Sequence, residues 1–139
     1  MSTLYALAGS TNGIVVGTGN KVEDFGVGFF TKYGDGGVDI SPIADLYKSE
    51  VYSLAESLQI IQPILDAPPT DGLWNDGRTD EDQIGATYEE LEWAMNEIEN
   101  PSLEKELNER LAEVMRIYLN FNHMNSHKMK PIPIFKFNR

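Results

Sequence analysis

Several side chains in this sequence have the types and spacing to handle phosphate and a metal. Thr18 follows a short apolar run in "GIVVGTGN" (13–20) and offers a hydroxyl beside backbone N–H groups. Glu23 stands a few residues on. A carboxylate there suits Mg²⁺, which at phosphate sites takes one or two carboxylates and completes its shell with phosphate oxygens; taken by itself, an exposed surface glutamate is the more ordinary reading. Lys32 and Lys48 are compact charges of the kind that either seek phosphate or solvate a surface. Between them, "FFTKYGDGGVDISPIADLYKSEV" (29–51) packs Gly34, Gly36 and Gly37 with Asp35 and Asp39. Glycines there permit positive φ and a close backbone approach to a ligand, or form a mobile loop.

Single motifs do not decide between these readings. A dinucleotide fingerprint begun at "GTG" needs glycine at position 22, which is Val22, and no G-x-x-x-x-G-K-[ST] is present. "DGGVD" imitates the S-G-G-x-D-S loop of ATP pyrophosphatases but lacks both serines. The physical rule is more useful: open α/β sheets bind ligands at the C-terminal ends of their buried parallel strands.

The elements that must position these groups run from α/β to helical. "GIVVGTGN" reads as a buried strand delivering a loop. Before it, "MSTLYALAG" reads as the last turns of a helix closing at Gly9. Ser41-Pro42 can start a helix, with Tyr47, Val51, Leu54, Ala55 and Leu58 on one stripe. "APPTDGLW" is loop. Thr79 caps a short turn that Gly85 ends, and Thr87 with Glu90 forms a capping box for a helix turning Leu91, Met95 and Ile98 inward. Asn100-Pro101 opens a last long helix with the stripe Leu103, Leu107, Leu111, Val114 and Tyr118. "KPIPIFKF" is an extended tail, because each proline disfavours helix at the residue before it.

Composition bounds the function. At 139 residues and 41% hydrophobic, the chain suits one domain with a core. It has no cysteine, so neither disulfides nor a thiolate zinc site are available. No apolar run approaches the ~20 residues that span a bilayer, and no signal-peptide pattern opens the chain, so a cytoplasmic protein without a membrane partner is expected. The formal charge is −11, and residues 76–113 hold thirteen acidic side chains against three basic ones. That balance argues against a nucleic-acid partner. The acidic stretch itself reads as solvated helix surface.

Taken in order, "GTGNKVEDFGVGFFTKYGDGGVDISPIADLYKSEVYSLAESL", "APPTDGLWNDGRTDEDQIGATYEEL" and "HKMKPIP" strongly resemble the ammonia-dependent NAD synthetase family, from about Leu4 to Pro133. The form "FFTKYGDGG" points to the ammonia-using type rather than its glutamine-dependent relatives, and argues against another ATP pyrophosphatase such as a GMP synthetase. The resemblance implies a Rossmann-like adenine nucleotide alpha hydrolase (ATP pyrophosphatase) fold, of which residues 1–139 would be the C-terminal, mostly helical portion with one or two parallel strands. It implies a reaction in which ATP adenylates the carboxylate of nicotinic acid adenine dinucleotide, and ammonia displaces AMP to give NAD. By position, Thr18, Lys48 and Thr70 match ATP-contacting residues, and Glu23 matches a Mg²⁺ ligand. Lys32, Asp39, His127 and Lys128 match contacts to the deamidated dinucleotide, at a site shared across a homodimer.

The family's S-G-G-x-D-S loop is not in the 139 residues, nor is the N-x-x-A-R segment expected just before Met1. The expectation is therefore a portion of a synthetase that makes no NAD alone. A non-catalytic nucleotide-binding or dimerisation module is the alternative. For the dimer, the apolar stripes of 87–99 and 101–121 are the candidate faces, the second being the better match to the chain's own core.

Overall fold

The computed structural model describes residues 1–138 except 71, 73, 74 and 102–107. Its elements are α1 (Ser2–Thr11), a π-helical segment (Lys21–Val27), α2 (Lys48–Ser57), α3 (Gln62–Leu65), α4 (Asp80–Ile84), α5 (Tyr88–Glu99) and α6 (Glu109–Met129). The core lies where the π-helical segment meets α5 and α6: Val22, Val27, Leu91, Ala94 and Val114 are fully buried there, with Met95 and Tyr118 beside them.

The expected strand is reduced to a single parallel bridge between Val16 and Ile40. Gly17 N–H donates to the Ile40 carbonyl (2.7 Å) and Asp39 N–H to that of Val15 (2.9 Å). Val15 is buried, but Ile14 and Val16 are more than half exposed. The run is thus covered on one face only, not on both as a buried strand would be. Side chains alternate across an extended backbone, so one covering layer leaves the other set in solvent.

Other boundaries also shift. α1 runs past Gly9 to Thr11 and ends on Asn12 in the left-handed conformation, whose N–H returns to the Ala8 carbonyl. Asparagine tolerates that geometry nearly as glycine does. The helix expected at Ser41-Pro42 begins instead at Lys48. Ile40 is engaged by the bridge, the Ser41 and Ile43 carbonyls close four-residue turns, and the Leu46 carbonyl accepts from Lys21 N–H (2.8 Å). That last bond ties the segment to the π-helical turn rather than to a helix of its own. No residue of α2 is fully buried, and Leu54 and Leu58 of its stripe face solvent.

The capped helices form where the sequence marks them. Thr79 accepts from Asp82 N–H while Asp82 accepts from Thr79 N–H, and Gly85 ends α4 at φ 86°. Thr87 and Glu90 do the same for α5, the reciprocal arrangement of a capping box. α5 buries Tyr88, Leu91, Ala94 and Met95, but Ile98 is 46% exposed, one turn beyond the contact with α6. α6 opens at Asn108, whose side chain accepts from Leu111 N–H, and buries Val114 and Tyr118. Leu103 and Leu107 lie outside the described residues. The described buried members of the two stripes, Leu91 and Met95 of α5 and Val114 and Tyr118 of α6, pack in the chain's own core. The tail after α6 is extended, with Ile134, Phe135 and Phe137 strongly exposed. Among the described residues no helix is long and apolar enough to cross a membrane.

Candidate functional site

The π-helical segment, which sequence patterning gave no sign of, carries Glu23. Asn20, 2% exposed, caps it by accepting from Val22 N–H (3.0 Å) and Glu23 N–H (3.1 Å). Such turns are rare and cluster at functional positions. Its C-terminal carbonyls would be orphaned, as at any helix end. α6 satisfies them with a row of side chains. Asn122 Nδ2 donates to Gly26 O and Asn125 Nδ2 to Val27 O, both at 2.8 Å. Lys128 Nζ donates to Gly28 O (2.9 Å) and Phe30 O (2.7 Å).

On one side of this turn a charged cluster forms. Lys48 Nζ lies 3.0 Å from Glu23 Oε1, both side chains being about one-fifth exposed. Lys48 is held at the first position of α2, where Ser49 N–H and hydroxyl both donate to Glu92 of α5 (2.9 and 2.7 Å). The Tyr88 hydroxyl donates to the same Glu23 Oε1 at 2.5 Å and lies 3.4 Å from Asp80 Oδ2. Burial, then the carboxylates of Glu23 and Asp80, push the Tyr88 phenol far above its usual range, so it remains a donor. Next to Glu23, Asp24 is raised to about 6, by burial first and then by Glu23 and Asp35. Its carboxylate occupies the space a side chain would take at Gly19.

The second feature is a cleft of about 870 Å³ between the loop after Gly28 and α6. Phe29, Phe30, Phe121 and Met124 supply its apolar wall, and Thr31, Asp35, Gln83, Asn120, Asn125 and Lys128 its polar groups. Lys32 Nζ crosses to the His127 carbonyl, while the His127 ring is exposed near the Met124 carbonyl.

The residues singled out from sequence thus fall into groups. Glu23 and Lys48 touch. Lys32, His127 and Lys128 converge at the end of α6. Asp39 is committed locally, its Oδ2 accepting from Val15 N–H at 2.8 Å. Thr18 is exposed in the loop after the bridge. Thr70 sits on a separate loop, accepting from Gly72 N–H (3.2 Å) and donating to Arg78 O (3.3 Å). Gly34, Gly36 and Gly37 do not adopt positive φ. They are small because the loop folds on itself: a Cβ at Gly36 would lie 2.3 Å from the Phe30 ring. Asp35 closes that loop by accepting from Thr31 N–H (2.8 Å). Sequence reasoning missed Tyr88, read only as part of a capped helix, and Asn122 and Asn125, which continue the register of the α6 stripe at i+4 and i+7 from Tyr118 but carry amides in place of apolar groups.

For a divalent cation the donor chemistry fits in part. Both contacts to Glu23 fall on Oε1, and among the described residues Oε2 carries no hydrogen bond. One free carboxylate oxygen is what a magnesium polyphosphate asks of a protein. No group of three or more potential ligands occurs among the described residues.

The π-helical turn and α2 thus form a half-buried carboxylate–lysine pair, and an aromatic-walled cleft opens between the loop after Gly28 and α6. The architecture is that of the C-terminal part of the Rossmann-like adenine nucleotide alpha hydrolase fold. The sequence profile of the NAD synthase family matches residues 1–132, and the chain belongs to that family. It is 50% identical over 111 residues to an NH(3)-dependent NAD(+) synthetase of Alkaliphilus metalliredigens, covering 80% of this chain and 44% of the relative. With the enzyme of the same description from Methanosarcina acetivorans it shares 39% identity over 141 residues, covering 96% of this chain and 53% of the relative. Among solved structures it is similar to an NMN synthetase from Francisella tularensis (TM-score 0.79, 36% identity, 98% of this chain and 52% of the other). It is also similar to an NH3-dependent NAD synthetase from Campylobacter jejuni (TM-score 0.72, 26% identity, 98% and 51%). The chain spans about half the length of the relatives it matches.

Proposed function

We propose that residues 1–139 form the C-terminal portion of an ammonia-dependent NAD synthetase, a cytoplasmic homodimeric ligase that amidates nicotinic acid adenine dinucleotide with ATP and Mg²⁺. The observation that carries this reading is the Glu23–Lys48 pair, with its one uncommitted carboxylate oxygen, beside the loop bearing Thr18. A carboxylate is a poor electrophile, and adenylation gives it a good leaving group. The carboxylate oxygen attacks the α-phosphorus, the bond to pyrophosphate breaks, and ammonia then displaces AMP. Lys48 would meet charge that builds on the phosphates, with Thr18 and Thr70 as hydroxyl donors, the preorganised role that lowers such barriers. Magnesium, when bound, would polarise the phosphoryl oxygens; Glu23 Oε2 is the atom of this chain suited to hold it.

The cleft beside Lys128 suits a flat ring on its aromatic wall, with Lys32 and His127 at its rim and Asp39 on the neighbouring bridge. Lys128 and Lys32 currently serve backbone carbonyls, so engagement of a substrate would exchange those partners. The NMN synthetase likeness supports a second reading, in which the mononucleotide is the substrate.

An assay with ATP, Mg²⁺ and ammonia, offering the deamidated dinucleotide and mononucleotide separately, tests these readings. We expect the intact protein to amidate the dinucleotide and the 139-residue chain alone to form no NAD, because the serine-glycine phosphate loop is not in it. Preference for the mononucleotide would replace the first reading with the second. Binding of nucleotide by the intact protein without turnover would favour the non-catalytic module.

A further inference from the structure

Tyr88 is not among the residues matched to ATP or substrate, yet it touches both members of the charged pair. It is 5% exposed. Its backbone is fixed at the first position of α5, behind the Thr87 cap, and its N–H donates to Glu81 Oε1 at 2.8 Å. The hydroxyl reaches Glu23 Oε1 at 2.5 Å, and Lys48 Nζ lies 3.0 Å from that same oxygen. The Lys48 ammonium also lies 4.7 Å from the Tyr88 ring centroid, a distance at which an aromatic face attracts a cation. Tyr88, Glu23 and Lys48 are therefore in mutual contact, pairwise, from three different elements.

We infer that Tyr88 is the positioning residue of the Glu23–Lys48 pair: its hydroxyl selects the Glu23 oxygen that faces Lys48, and so turns the other oxygen outward. A carboxylate on a free side chain samples both oxygens and several rotamers. Here two donors converge on Oε1, one of them anchored by a buried ring. That leaves Oε2 as the outward ligand without further cost in side-chain order. The ring supports Lys48 from below, so loss of the hydroxyl alone separates orientation from packing. A tyrosine buried only for its bulk would need some partner for its hydroxyl, but not the oxygen already shared with the lysine. The identity of the outward ligand, a magnesium polyphosphate, rests on the proposed function; the orientation of Glu23 does not.

The test uses Tyr88→Phe in the 139-residue chain, with two readouts. In the metal-free protein, the Glu23 side-chain carboxyl carbon is followed by NMR; a shifted resonance and a more mobile Lys48 side chain are expected. An unchanged resonance and an unchanged lysine would overturn the inference. Separately, Mn²⁺ with ATP is titrated and followed by electron paramagnetic resonance. Residues that orient a metal ligand typically contribute 10–100-fold to affinity, so weakening of about tenfold or more is expected, with Glu23→Gln weakening it further. Equal affinity in wild type and Tyr88→Phe would also overturn it. Should the wild-type chain take up no Mn²⁺–ATP while the Glu23 resonance still moves, orientation by Tyr88 stands and the nucleotide-site assignment for this chain falls. If Tyr88→Phe does not fold, the wild type decides. A slowly exchanging Tyr88 hydroxyl proton near the Lys48 ε-methylene supports the inference, and a phenol in free exchange with water overturns it.

Discussion

At Gly28 the backbone turns left-handed (φ 63°) as the π-helical segment gives way to the loop, and a Cβ there would sit 2.6 Å from Cβ of Asn125 on α6. Both features oppose any side chain. A left-handed backbone costs about 1–2 kcal/mol and overpacking about 1–3 kcal/mol. Gly28→Ala should therefore lower stability by about 2–5 kcal/mol, read as a reduced urea midpoint; a change below about half a kcal/mol would mean that α6 yields freely. Gly19 is a milder case. The atoms that crowd it belong to the Asp24 carboxylate, the end of a short side chain that can rotate away. From sequence alone, glycine-rich stretches invite the same explanation everywhere. In "KYGDGG" the requirement is contact with the chain itself, whereas at Gly28, outside that stretch, it is φ together with a neighbouring helix. Such a distinction needs the position of residues about a hundred places away, which no local pattern encodes.

At the scale of elements, the joint between α5 and α6 contains an ion pair worth a pH experiment. Arg110 of α6 grips both oxygens of Glu90 at 2.7 Å and also reaches the Gly85 carbonyl at 3.2 Å. Hydrogen bonds from Arg110, and then the one from Thr87 N–H, hold the Glu90 carboxyl below its ordinary range. The unfolded chain therefore binds the Glu90 proton more tightly than the folded one. This contribution is fully present above about pH 4.5 and is lost as pH falls through the lower folded value. Glu90→Gln should flatten the acid limb of stability between pH 5 and 3, while the gap between wild type and variant narrows toward pH 3. A gap independent of pH would show that the pair does not titrate with folding. The capping boxes of α4 and α5 were legible because their signals are local: a threonine and an acid three residues on. The start of α2 was not, since Leu46 is held by Lys21 across the fold and a tertiary bond overrides the proline signal. The π-helical segment was invisible for a similar reason, as its carbonyls are satisfied by α6.

For the molecule as a whole, α1 buries none of its residues, and Leu4 and Leu7 are half or more exposed. Ile14 and Val16 beside the bridge, and Phe135 and Phe137 in the tail, add to the uncovered apolar surface. Patches of this sort rarely stay in water on a stable monomer. The purified 139-residue chain should therefore sediment above monomer mass at tens of micromolar, and Leu4→Glu with Leu7→Glu should shift it toward monomer. A wild-type chain that remains monomeric at that concentration would contradict the expectation. The row of Asn122, Asn125 and Lys128 has a consequence of a different kind, in the order of folding. These side chains hold carbonyls 96, 98 and 100 residues earlier in sequence. Closing a loop that long costs about 2 kcal/mol more chain entropy than closing one of ten residues. The end of the turn that carries Glu23 cannot be held in place until α6 has formed and swung back across nearly the whole chain. The helices α4 and α5, built on local caps, are free to form early; the C-terminal end of the turn should be secured only when α6 docks, so its amides are expected to gain protection after those of α5 in pulsed hydrogen exchange.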